Sequence, residues 1–153
     1  MSQENVEIVQ QATAAFSRGD ADAFTELTTP NVEWKVGLAA VEGEVFRGPE
    51  GVKAYFDRLS SAWSEFQFLA EEFRDLGDTI VVLGRLRGIG RGGGVPVESP
   101  VGAVWDLRRG KIWRLRAYLD HVEALKAVGW RGNPRRPRPR RPGRRASWTP
   151  PVS

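Results

Sequence analysis

The sequence predicts an α+β domain in which helices cover one face of a curved antiparallel sheet, in the order α-α-β-α-β-β-β-β-α. Three observations carry this. Apolar residues recur at helical steps over most of residues 5–64, four long segments between 66 and 119 are separated by short Gly-containing turns, and the 153 residues suffice for one core. A chain of this size buries roughly 70% of its unfolded surface, and helices grouped ahead of an antiparallel meander pack as one layer on the sheet.

Each element has a local cause. Val6, Val9, Ala12 and Phe16 place one stripe on a helix from Asn5 to Ser17, which Gly19 ends. Asp20 is a candidate N-cap for a short helix, Ala21 to Leu27, that buries Phe24 and Leu27 and stops before Pro30. Val32-Glu33-Trp34-Lys35-Val36 alternates with the period of a half-buried strand, with Trp34 inward. Gly37 to Gly48 reads as a loop. Pro49 and Glu50 suit the first turn of a third helix reaching about Ser64, with Val52, Tyr55, Phe56, Leu59 and Trp63 on one face. Phe66–Asp75, Thr79–Arg91, Val95–Leu107 and Lys111–Leu119 read as four strands, turning at Gly77-Asp78, Gly92-Gly93-Gly94 and Arg109-Gly110. A last helix, about His121 to Val128, ends at Gly129.

Charge divides the chain in two. Residues 131–153 hold eight of the 23 Lys+Arg, none of the 19 Asp+Glu and six of the ten prolines. The first 130 residues are therefore mildly acidic, and the basic pI of about 10.0 comes from the tail. Such a segment cannot bury enough apolar surface to order itself, so the expectation is a 1–130 domain followed by a disordered Arg/Pro-rich tail. Nucleic acid could be gripped through those arginines with Trp148 stacking on a base; proline-arginine repeats after an apparently finished domain equally fit a tail without function. Without cysteine, disulfides, thiol nucleophiles and Cys-ligated metals are excluded, and one histidine, His121, leaves no imidazole-rich centre. Neither a metal nor any other cofactor is expected. No apolar run approaches the roughly 18 residues of a membrane span, and Met1–Gln11 lacks the pattern of a secretory signal. The expected location is the cytoplasm.

Several strings resemble the nuclear-transport-factor-2-like superfamily and, within it, the small SnoaL-like domains related to polyketide cyclases and ketosteroid isomerases. They are Arg18-Gly19-Asp20-Ala21-Asp22-Ala23, Asn31-Val32-Glu33-Trp34, Phe46-Arg47-Gly48-Pro49-Glu50-Gly51-Val52, Gly110-Lys111-Ile112 and Tyr118-Leu119-Asp120. Their order spans residues 1–130. The resemblance implies a cone-shaped pocket between bent sheet and helices, and a homodimer formed through the sheet's outer face. It does not fix an activity, because one fold serves many chemistries.

A small-molecule site needs an apolar cavity with a few polar groups. The candidates to line it are Trp34, Phe56, Trp63, Trp113, Leu115 and Leu119; the alternative is that these side chains fill the core. On the last strand Trp113, Leu115, Ala117 and Leu119 alternate with Arg114, Arg116 and Tyr118, so the former set is assigned inward. Asp120 is the catalytic candidate, because it follows the last strand where SnoaL-like cyclases place an acid/base aspartate. A carboxylate sheltered by Leu and Trp could exchange protons with a carbon acid. Equally, Asp120 and Glu123 have the spacing of a capping box. Asp106 faces inward or outward according to the register of the final hairpin.

Other routes lack their residues. Where ketosteroid isomerases carry a base aspartate after a Val-Glu pair, this chain has Trp34, and their oxyanion tyrosine corresponds to a position near Gln11. Where limonene-epoxide hydrolases carry Arg-x-Asp and a further aspartate, it has Arg85-Leu86-Arg87 and Ala117. Gly88-Ile89-Gly90-Arg91-Gly92-Gly93 matches a dinucleotide fingerprint, but a strand follows it where a helix is needed. Arg85, Arg87, Arg114 and Arg116 form an outer-face stripe expected to pair with Glu71, Glu98 or Asp106. The leading reading is a domain that binds an apolar or amphipathic metabolite, with cofactor-independent proton transfer by Asp120 leading to isomerisation or cyclisation. The alternatives are a non-catalytic ligand-binding or dimerisation module, and nucleic-acid binding through the tail.

Overall fold

The structure, a computed structural model, describes residues 2–36 and 44–129. The expected tail, 131–153, and most of the loop expected at Gly37 to Gly48 lie outside the described residues.

Helix α1 (Ser2–Ser17) buries Val9, Ala12, Ala15 and Phe16 along the expected stripe. It starts three residues early, and Asn5 Nδ2 donates to the Gly77 carbonyl at 2.8 Å, tying its first turn to a hairpin. Gly19 takes a left-handed φ of 71° and turns the chain into α2 (Ala21–Glu26). Asp20 caps α2 by accepting from the Ala23 N–H at 3.0 Å. Strand β1 (Thr28–Val36) follows, then β2 (Glu44–Arg47), which pairs antiparallel with β1 and sets Trp34 opposite Phe46. This second strand falls in the segment read as a loop. Four residues are too few to show a period, and the cross-strand partner that makes them a strand is not a local signal.

Helix α3 (Gly48–Ala62) carries Pro49 in its first turn and buries Val52 and Phe56. It ends two residues before the expected Ser64. Trp63 is already extended, at φ −127° and ψ 133°, so it opens β3 (Trp63–Asp75) instead of closing the helix. Strands β4 (Thr79–Gly90), β5 (Pro96–Arg108) and β6 (Lys111–Tyr118) continue as the expected hairpins, and α4 (His121–Ala127) completes the chain. The sheet order is β2-β1-β6-β5-β4-β3. β5 overhangs β6: their first pair is Gly102 with Tyr118, so Pro96 to Val101 is bonded on the β4 side only.

The α+β class is as expected, and two details refine it. β1 lies parallel to β6, which makes the sheet mixed. Helices α1 to α3 pack on the face formed by Trp34, Ile80, Val82, Trp105 and Leu115, whereas α4 crosses to the other face and covers Val81, Leu83 and Val104. Gly102 makes that crossing possible, because a Cβ there would run into the Ala124 methyl. Among the described residues no helix is long and apolar enough to cross a membrane.

Candidate functional site

On the helix-covered face the rings meet. Trp34 stacks on Phe24 with centroids 4.9 Å apart and planes 12° apart, and contacts Tyr55, Phe56 and Phe16 at 4.6, 5.9 and 5.8 Å. Phe24 also touches Phe56 and Trp105. The inside of the cone is thus a cluster of offset and edge-on aromatics, an arrangement worth about 0.5–1.5 kcal/mol per pair beyond burial. Trp34 and Leu115, each 3% exposed, belong to this core.

The open space lies at its mouth. A cleft of about 730 Å3 runs between the α1–α2 turn, the outer half of α3 and the start of β3. Phe16, Phe56, Leu59, Trp63 and Phe66 supply apolar surface, and Arg18, Asp20, Asp22, Lys53, Asp57 and Glu65 supply charge. Two of the expected lining residues, Phe56 and Trp63, are in it. Trp63 is held by its neighbours: its ring occupies the space a side chain at Gly88 would need, with the ring 2.7 Å from where that Cβ would stand, and it packs on Phe66 at 6.1 Å.

Sequence reasoning missed Phe16 and Phe66 as cleft residues. The signal was present in Phe16, last on its helical stripe and so at the open end; Phe66 stands three residues from Trp63, out of phase in a regular strand, and meets it only through the register shift between Trp63 and Glu65.

The other expected residues are elsewhere. Leu119 lies beyond the end of β6 and is 45% exposed. Trp113 is displaced by an irregularity in the β5–β6 ladder: Asp106 pairs with Arg114 but Leu107 pairs with Ile112, so Trp113 is the extra residue and loses its inward side. Its ring lies 4.3 Å from the Arg108 guanidinium and 4.6 Å from that of Arg114. Asp120 is exposed at the start of α4, on the face opposite the cleft. Its Oδ1 accepts from the backbone N–H groups of Val122 at 2.7 Å and Glu123 at 3.4 Å. The expected sheltered acid/base is therefore a helix cap in the geometry. Its neighbour His121 is half-buried, with Nε2 2.8 Å from the Gly84 carbonyl.

Asp106 faces the outer side, where it is 6% exposed and accepts from Thr79 Oγ1 at 2.7 Å, Arg114 Nε at 2.7 Å and Arg116 Nη2 at 3.1 Å. Arg85 bridges Glu71 and Glu98, which also pairs with Arg87. The outer arginine stripe is thus neutralised by the acids expected to meet it. Among the described residues no group of three or more His, Asp or Glu could hold a metal ion.

Residues 9–115 match the family described as the SnoaL-like domain. The chain belongs to that SnoaL-like family. A search of curated proteins finds no match to it. Among solved structures this SnoaL-like domain is similar to an NTF2-like protein from Burkholderia thailandensis E264, at 28% identity and a TM-score of 0.67, over 81% of this chain and 96% of that one. It is similar to a candidate polyketide cyclase from Xanthomonas campestris pv. campestris at 22% identity and a TM-score of 0.66, over 83% and 98%. A Catenulispora acidiphila protein with a ketosteroid isomerase-like fold, solved in complex with trimethylamine, aligns at 17% identity and a TM-score of 0.67, over 83% and 95%. These likenesses show an NTF2-like fold.

Proposed function

We propose that this SnoaL-like domain binds an apolar or amphipathic small molecule in the cleft at the cone's mouth. The observation that carries the reading is the make-up of the cleft: Phe16, Phe56, Leu59, Trp63 and Phe66 line it together with a larger number of polar and charged residues, among them Arg18, Asp20, Lys53, Asp57 and Glu65. A concave surface that offers aromatic rings beside polar groups suits a small molecule that is itself amphipathic. A ligand seated there covers ring surface at about 25 cal/mol per Å2 and leaves its polar end at the rim.

The binding reading is favoured over the catalytic one. Cofactor-independent isomerisation or cyclisation needs a carboxylate shielded from water beside the substrate. Asp22, Asp57 and Glu65 in the cleft are exposed, Asp20 is engaged as the cap of α2, and Asp120 is on the other side of the sheet.

The test is a titration of the 15N-labelled protein with a panel of apolar and amphipathic compounds, following indole N–H signals. Binders should shift Trp63, and Leu59→Glu, which plants a charge on a half-buried floor position, should remove the response while the protein stays folded. Shifts confined to Trp113 on the outer face, or binding untouched by Leu59→Glu, would overturn the reading.

A further inference from the structure

The cleft presents rings and charges that its own residues leave unmatched. Trp63 and Phe66 are half-buried on its wall. Of its charged groups, only Arg18 and Asp20 meet among the described residues, at 3.6 Å. Asp22, Asp57 and Glu65 are exposed and have no ion-pair partner among the described residues, with Lys53 as the one unpaired cation beside them. The chain itself carries the complement. Residues 134–142 read Pro-Arg-Arg-Pro-Arg-Pro-Arg-Arg-Pro, within a segment that has eight arginines and no Asp or Glu. We propose that this proline-arginine run docks in the cleft of its own domain, with proline rings on Trp63 and Phe66 and guanidinium groups on Asp22, Asp57 and Glu65.

The chemistry of the two surfaces fits. A proline-rich sequence favours the polyproline II helix, which has three residues per turn, so residues three apart share an edge. Pro134 and Pro137 fall on one edge and Arg135 and Arg138 on the next, and Pro139 and Pro142 repeat the spacing. Aromatic-lined grooves take such helices because little conformational freedom remains to be lost, and a guanidinium fork matches a carboxylate. The connection is long enough. Val128 packs with Val81 and Val104 on the outer face, while Trp63 to Gln67 pair with Gly90 to Arg87 of β4. Val81 and Gly88 are about 23 Å apart along that strand at ~3.3 Å per residue. Only β3, the last strand of the sheet, has to be rounded to reach the other face. From Gly129 to Pro142 a polyproline II chain spans about 40 Å. Exposed ion pairs are individually weak, but a tether of this length holds the run at an effective concentration of order millimolar.

The chain has no cysteine, so Gly143→Cys carries a single nitroxide label at the end of the run. In the full-length 15N-labelled protein at about 0.1 M salt, the label should lower the Trp63 indole signal and the amide signals of the cleft by about twofold or more. Trp113, on the outer face, should be untouched. Raising the salt to about 1 M shortens the screening length from ~10 to ~3 Å and should restore the cleft signals. Asp57→Lys combined with Glu65→Lys, both at exposed positions, should abolish the effect in a protein that is still folded. Loss of signal at Trp113 instead of Trp63, no loss at either, or a loss that survives the double variant would overturn the proposal. So would an equal loss when the 15N-labelled chain lacks the nitroxide and an unlabelled copy carries it, since the run would then dock on a second molecule. None of these outcomes bears on the small-molecule reading, which its own titration decides.

Discussion

Replacing Asp120 separates a cap from an acid. Oδ1 accepts from two of the N–H groups left free at the start of α4. Removing an N-cap side chain costs about 1 kcal/mol, and losing a negative charge at a helix N-terminus costs a further ~0.3–1 kcal/mol. Asp120→Ala should therefore lower stability by about 1.5–2 kcal/mol. Asp120→Asn keeps the acceptor and loses only the charge, so it should cost about 0.5 kcal/mol. In a domain of this size each kcal/mol lowers the melting temperature by roughly 3–5 °C, and urea denaturation gives the same ranking through the midpoint at constant slope. Ligand affinity in the cleft should be unchanged in both variants, because Asp120 lies on the opposite face of the sheet. An Asn variant as unstable as the Ala variant would refute the cap, and one that folds normally but loses a measured turnover would reinstate the acid.

Gly102→Val should drive α4 off the sheet through its collision with Ala124, uncovering Val81, Leu83 and Val104; the expected loss is about 1–3 kcal/mol, and hydrogen exchange confined to 121–127 would show it. Unchanged protection there would contradict the packing. Asp106→Ala strands Arg114, Arg116 and Thr79 Oγ1; a cost of about 2–4 kcal/mol is expected, reduced from that of a fully buried pair because the Arg114 side chain is 29% exposed. A midpoint within experimental error of wild type would show that the network contributes nothing. Deleting residues 131–153 should abolish retention on immobilised DNA at about 50 mM salt, since eight arginines leave with them. Retention by the shortened chain would place the contact on the domain.

What was legible in the sequence was whatever repeats locally. The stripe of α1, the Asp20 and Pro49 helix starts, and the hairpin closed at Arg109-Gly110 need only neighbours along the chain, and each is where its pattern puts it. The exceptions depend on contacts between distant segments. β2 exists because Phe46 finds Trp34, and Trp113 turned away because one residue was inserted opposite β5. The side of the sheet that α4 chooses is decided by the missing side chain at Gly102, twenty-two residues earlier than Ala124. For the candidate site, aromatic residues at helical spacing picked out Phe56 and Trp63, and both border the cleft, although Trp63 does so from β3 and not from the helix. They could not say that Trp34 and Phe24 would stack, because a ring that fills a core and a ring that lines a cavity have the same sequence signature.

The overhang of β5 has a consequence for how copies of this chain can meet. Both prolines of the strand, Pro96 and Pro100, fall in the stretch that β6 leaves uncovered, and a proline offers an incoming strand no donor. The free rim of β3 is broken by register shifts between Trp63 and Glu65 and between Ala70 and Glu72, and β2 at the far rim is four residues long. Each exposed margin is thus unsuited to zipping onto a neighbour. Runaway fibre growth from these borders is discouraged.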